Sequence, residues 1–344
     1  MFVDAEAFCR YDLIRKNLYP RCKLGVKRLK RNAKLVKSGR TGANRLAREM
    51  QRYGALYVML LVPFAILILF KYAPMYGIQI AFKDYKITKG IADSAWVGFK
   101  HFNKFFSSYQ FGNILRNTLF INLYSLATFP LSLAFALLLH YLTRPKFKKT
   151  LQMVSYAPHF ISQVVMCSMI LQFLDARSGL INEFLGLFGV PAVNYMAKPE
   201  YFYSIYVWSD VWQELGYNSI IYVAALAGVS WELHEAAIID GASVVKRIWY
   251  VDIPSVLPTF CILLIMRCGS LMTLGYEKVL LLQNNLNSDV SQVISTYAYK
   301  IGIASTKPQY SYATAIGLFT SLINLVMLVI VNKVSDKLSG SSLW

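Results

Sequence analysis

Apolar residues run along this chain in six long stretches separated by shorter polar ones: Tyr57 to Ile80, Ile114 to Leu142, Leu151 to Leu174, Tyr203 to Val229, Leu257 to Leu282 and Ala313 to Val334. Each supplies the roughly 20 helical residues needed to cross a hydrocarbon core, where the backbone must satisfy its own hydrogen bonds. The pattern predicts an all-α polytopic membrane protein with six transmembrane helices. Lys71 and Pro74 interrupt the first stretch, which is therefore expected to leave the hydrocarbon near Tyr72. No apolar signal core precedes it, so it reads as an uncleaved anchor.

Composition agrees with this pattern. Of 344 residues, 56% are hydrophobic and only 16% charged, below the quarter typical of soluble domains. The net charge of +18 would suggest nucleic acid in a soluble protein, but 15 of the 36 Lys and Arg precede Leu56. This basic head, Arg10 to Arg52, reads as a segment held near anionic headgroups. It lacks the aromatic interleaving of a nucleic-acid module, so no nucleic-acid partner is expected.

Loop charge orients the spans, because cytoplasmic loops retain Lys and Arg. With the N-terminus inside, inside segments carry 23 basic residues and outside segments 9. The short loop with Arg144, Lys146, Lys148 and Lys149 points the same way. Both termini are expected on the cytoplasmic side. The organisation expected is a basic head over 1–56, a six-helix domain over 57–334 and a tail over 335–344. Cys9, Cys22, Cys167, Cys261 and Cys268 show no metal-like spacing and read as free or buried thiols.

The inside loop 231–256 carries the most specific pattern: Glu235-Ala-Ala-Ile-Ile-Asp240-Gly241-Ala242, then Ser243 to Asp252, Ile253 and Pro254. Ala236 and Ala237 let a short helix approach a partner groove closely, and Glu235 offers that partner a charge. Gly241 permits a sharp turn into a second short helix, Ser243 to Tyr250, and Pro254 is expected to end that helix. The string resembles the EAA loop of binding-protein-dependent ABC importer permeases. Glu235, Ala236, Ala237, Gly241 and Pro254 match; Asp240 and Ala242 match the longer form of sugar permeases; Val251 and Ile253 depart conservatively.

The strings Lys71 to Gly77, Ala81 to Tyr85, Trp96 to Phe99, Phe105-Phe106 and Arg116-Asn117-Thr118 resemble permeases of polysaccharide and oligosaccharide importers, the aldouronate and alginate group. Taken alone, Tyr85 and Trp96 also read as interfacial anchors. The resemblance implies a type I ABC importer permease fold. It implies a homologous second permease, two ABC ATPase subunits, an extracytoplasmic sugar-binding protein and an oligosaccharide cargo. It also implies alternating access driven through the loop. ATP and Mg would be bound by the partner ATPases, with no cofactor in this chain.

No enzyme is expected. There is no GxxxxGKS/T loop to cradle phosphate and no GxSxG elbow. His234-Glu235 opens like a zinc helix, but Ile238 stands where its second ligand belongs, and His101, His140 and His159 are scattered, so no metal site is expected. Polar residues inside the spans are the candidates for a transport path: Asp210, Trp212, Gln213, Glu214, Tyr217 and Asn218 on the fourth span, and Arg267 on the fifth. Aromatic faces with amides suit a sugar, while the same residues also suit helix-to-helix contacts or an outer mouth. An ion-driven secondary transporter and a membrane-embedded enzyme are the alternative classes. The first would show inverted repeats, and the second a nucleophile or metal constellation.

Overall fold

The computed structural model describes residues 42–340, 342 and 343. All but the last part of the basic head, including Arg10 to Arg40, lies outside the described residues. The chain divides after Tyr76 into two units. The first contains α1, Gly42–Leu67, prolonged by a π turn at Ile68–Tyr72. Its side chains from Leu56 to Tyr76 are mostly exposed and apolar, as a lipid-facing helix requires. The Ala73 N–H reaches back to the Ile68 carbonyl. This wider turn immediately precedes Pro74, whose ring lacks an N–H and would clash in a regular helix. Past Tyr72 the backbone continues as a 3₁₀ stretch, Ala73–Phe82.

The second unit, from Gly77, opens with a feature the apolar pattern did not predict. Strands β1, Lys83–Lys86, and β2, Gly90–Trp96, form an antiparallel hairpin in which Lys83 faces Trp96 and Lys86 faces Gly90. Gly90 takes a φ of 70°, which suits a residue without Cβ at the turn. Phe82 stacks on Trp96 at 5.7 Å, and its carbonyl accepts from the N–H groups of Val97 and Gly98. Trp96 is thus bound to Phe82 within this fold.

Helices follow in the order α2 Lys100–Phe106, α3 Phe111–Thr128, α4 Pro130–Tyr141, α5 Pro145–Tyr156, α6 Gln163–Phe173, α7 Leu180–Gly186, α8 Pro199–Ala227, α9 Trp231–Ile239, α10 Val244–Arg247, α11 Ile253–Cys268, α12 Tyr276–Leu282, α13 Ser288–Ser291, α14 Ile294–Gly302 and α15 Tyr310–Ser339. Among the described residues, four segments are long and apolar enough to cross a membrane: 52–82, 111–141, 244–268 and 310–337. The predicted fourth span is α8, 29 residues long but made more polar by Asp210, Gln213, Glu214 and Asn218.

Two predicted spans need correction. The third, Leu151 to Leu174, is bent by 102° between its halves. Pro158 lies in a 3₁₀ turn, Ala157–Phe160, Ile161 and Ser162 are extended, and Ser162 restarts the helix by accepting the Val165 N–H. The Ile161 carbonyl freed by the break accepts from the Gln213 amide at 2.9 Å. The fifth, Leu257 to Leu282, ends at Cys268. There Gly269 lies so close to Leu328 of α15 that a Cβ would collide with it, and α12 restarts after a second glycine, Gly275.

Three apolar clusters hold the second unit together. Ile121, Met166, Phe202, Val207, Val279 and Leu282 join α3, α6, α8 and α12. Phe105, Ile114, Ile294, Tyr297 and Ile316 join α2, α3, α14 and α15. Ala136, Tyr222, Leu226 and Val256 join α4, α8 and α11. Polar ties within this packing fix register. The Asn117 amide donates to the carbonyls of Asp289 and Gln292, its oxygen accepts from Tyr203, and the Thr118 hydroxyl accepts the Ile294 N–H. The Arg116-Asn117-Thr118 string thus fastens α3 to α8 and to the segment around α13. Gly216 lets α8 lie directly on the Ser155 backbone of α5.

Candidate functional site

The elbow between α8 and α11 is built by local chemistry. Helix α9 ends at Asp240, and Gly241 takes a left-handed φ of 73°. The Gly241 N–H bonds the Ile238 carbonyl, and the Ala242 N–H bonds the Ala237 carbonyl at 2.9 Å. This crossed pair closes a helix end when a glycine stands just past it. Ser243 then caps α10 by accepting from the Lys246 N–H. The Gly241 φ excludes most other side chains, because a Cβ in that region meets the following carbonyl.

Pro254 does not end this second helix, contrary to the sequence expectation. α10 passes through a π turn, Ile248–Asp252, directly into α11, and the Ile253 N–H reaches back five residues to the Ile248 carbonyl. As at Pro74, the widened turn sits just before the proline and absorbs it. The elbow is therefore continuous with a membrane-length helix.

Glu235, Ala236, Asp240, Gly241 and Pro254 are exposed, while Ala237 and Ala242 are half-buried. Large apolar side chains stand beside these charges on the exposed surface of the elbow. Ile239 is 85% and Tyr250 79% exposed, and Ile238, Val245 and Trp249 are exposed beside them. Exposed apolar side chains that form a contiguous patch mark a protein-protein or membrane contact. The inner side is polar and closed. Asp252, 0% exposed, accepts from the Tyr141 hydroxyl at the end of α4 at 2.6 Å and lies 3.3 Å from His234 of α9.

The residues read as a transport path fall into two groups. Asp210, Gln213 and Glu214 are engaged. Asp210 lies 3.3 Å from the Lys278 ammonium, which is 4% exposed, also donates to the Tyr206 carbonyl and sits 4.5 Å from the Tyr206 ring. Glu214 lies 2.9 Å from His159, whose ring stacks on Tyr217 at 3.6 Å. Gln213 is buried against the α5–α6 break. Trp212, Tyr217 and Asn218 on α8 and Arg267 on α11 are exposed.

Sequence reasoning missed Lys278 and gave His159 no role, because their carboxylate partners lie on other helices. The histidines, dispersed in sequence, each meet a partner: His101 meets Asp84 at 3.1 Å, His159 meets Glu214, His234 meets Asp252, and His140 packs against His234.

Outside the membrane segments, two carboxyls are held below their usual range. The Lys100 ammonium donates to Asp84, aided by His101. The Ser178 and Arg177 N–H groups do the same for Asp175, closing the loop after α6.

Comparison with known proteins completes the picture. The family described as "Binding-protein-dependent transport system inner membrane component" matches residues 53–340. The polygalacturonan/rhamnogalacturonan transport system permease protein YteP of Bacillus subtilis (strain 168) is 37% identical over 86% of this chain and 91% of its own length. The protein LplB of the same organism is 36% identical over 92% and 98%. A solved bacterial ABC transporter involved in the import of the acidic polysaccharide alginate contains a chain that matches with a TM-score of 0.79 and 34% identity, over 86% of this chain and 99% of that one. With its helices of membrane length and a match across nearly all described residues, the chain belongs to the family of binding-protein-dependent transport system inner membrane components.

Proposed function

We propose that this chain is a permease subunit of an ATP-driven oligosaccharide importer, and that the Gly241 elbow is where partner ATPases push on it. One observation carries the reading. An exposed apolar elbow, with Glu235 on its surface, continues without interruption into α11 and is tied inward to α4 through Asp252. A contact surface outside and rigid connections inside are what a force-transmitting element needs. The elbow faces the cytoplasm, as do both termini, in keeping with the basic loop around Arg144 to Lys149.

The rest of the machine comes from other chains: a second permease, two ABC ATPases that bind ATP and Mg, and an extracytoplasmic sugar-binding protein. ATPase closure moves the α9–α10 elbow, α11 follows, and the path alternates between inward and outward access. Along that path, exposed Trp212, Tyr217, Asn218 and Arg267 offer stacking faces, an amide and a cation to a saccharide. The names of the relatives, which specify polygalacturonan, rhamnogalacturonan and alginate, support an acidic oligosaccharide as cargo.

The test is ATP-dependent uptake of a labelled uronate oligosaccharide by vesicles containing the assembled transporter. Gly241→Asp and Glu235→Lys are expected to abolish uptake while leaving the chain in the membrane. Full uptake by both variants would show that the elbow does not couple.

A further inference from the structure

The inner side of the elbow holds more buried polar atoms that make no hydrogen bond than any other place among the described residues. Among the described residues seven buried side-chain nitrogen or oxygen atoms make no hydrogen bond, and three of them belong to one pair here: His234 Nδ1, and His234 Nε2 and Asp252 Oδ1, which stand 3.3 Å apart without hydrogen-bond geometry. A buried polar atom left without a partner costs about 1–3 kcal/mol, so such a concentration in one place calls for something to fill it. His234 is 2% and Asp252 0% exposed.

Candidate ligand atoms of His140, His234 and Asp252 all lie within 4.8 Å of one another. Three atoms so placed surround a point at most about 2.8 Å from each, and a contraction of well under 1 Å would give the ~2.0–2.2 Å bonds of zinc to imidazole and carboxylate. Each residue comes from a different element: His140 from the end of α4, His234 from α9, and Asp252 from the π turn before α11. The second carboxylate oxygen of Asp252 already accepts from Tyr141, which is how an outer hydrogen bond orients a ligating carboxylate. His140 is half-buried, while His234 and Asp252 are buried.

We propose that His140, His234 and Asp252 form a binding site for a divalent transition metal of the zinc class. The set of two imidazoles and one carboxylate, with a fourth position for water, suits tetrahedral Zn²⁺. The zinc-helix spacing that fails at Ile238 is made good in three dimensions by residues from two other elements. The metal pins α9, the π turn and the end of α4 into one body. This site does not depend on the importer reading, since it is defined by this chain alone.

The experiment uses the full chain carrying no polyhistidine tag, extracted in detergent with its accompanying subunits, stripped with a chelator and titrated with Zn²⁺ and with Co²⁺. The expected result is one Zn²⁺ per chain and a tetrahedral Co²⁺ absorption spectrum. Both should be lost in His234→Gln and Asp252→Asn. His140→Gln, at a half-buried position, is expected to fold and to weaken metal binding by about tenfold or more. Absence of stoichiometric Zn²⁺ in the wild-type chain, or unchanged affinity in His140→Gln, would overturn the site and leave a simple His234–Asp252 ion pair in its place.

Discussion

The Tyr141 hydroxyl donates to Asp252 Oδ2 at 2.6 Å, so the last residue of α4 is fastened to the turn that leads from the elbow into α11. The Arg247 guanidinium lies over the same tyrosine ring at 5.7 Å. A hydrogen bond to a buried charged group contributes about 1.5–3 kcal/mol. Tyr141→Phe should therefore destabilise the chain by about 2 kcal/mol, read as a lower unfolding midpoint of the detergent-solubilised protein. It should also raise ATP hydrolysed per sugar imported, because the elbow would then move without carrying α4. Unchanged coupling with lowered stability would confine this contact to a structural role.

Asp210 and Lys278 form a pair in which the lysine is almost wholly buried. Removing one partner strands the other charge, at a cost of about 3–5 kcal/mol. Asp210→Asn should fall near the low end, ~3 kcal/mol, since the Tyr206 carbonyl and ring still receive the ammonium. Adding Lys278→Met should recover most of the loss. Unfolding midpoints of the two single variants and the double variant measure the coupling, and additive losses would contradict it.

Asp84 makes the hairpin acid-sensitive. Its carboxyl is held below the usual range by Lys100 and His101, so the folded state favours the charged form. That stabilisation is fully present above pH ~4, the ordinary value for aspartate, and is lost as the pH falls through the lower folded value. Hydrogen exchange of Lys83–Trp96, corrected for intrinsic rates, should accelerate below pH ~4 in the wild type. In Asp84→Asn the hairpin should exchange faster at neutral pH, and its acid dependence should be smaller.

How much of this was legible in the sequence depended on whether the determining chemistry was local. The elbow was readable because Gly241 and the alanines before it act over a few residues. Helices α3–α4 and α15 were readable because hydropathy sums along a single stretch. The break at Ile161 was not, since Pro158 and Ser162 sit inside an apolar run whose average hides them. Nor was the hairpin, because β1 is only four residues and mostly charged, and β2 shows no regular apolar alternation to betray the pairing. Pro254 was misread because the π turn before it depends on backbone hydrogen bonds that residue identities do not display. The groupings of Lys278 with Asp210, and of His140 with His234 and Asp252, bring together helices distant in the chain, and no spacing rule encodes them.

The most direct measurement of the central claim is cross-linking from the tip of the elbow. Ile239→Cys, compared with the parent chain to discount Cys9, Cys22, Cys167, Cys261 and Cys268, should form a cross-link to an ATPase subunit in membranes. The link should change in yield when ATP is trapped, and the cysteine should resist a membrane-impermeant thiol reagent applied from outside intact cells. Labelling from outside, or an elbow that cross-links to no ATPase in the functional transporter, would contradict the account.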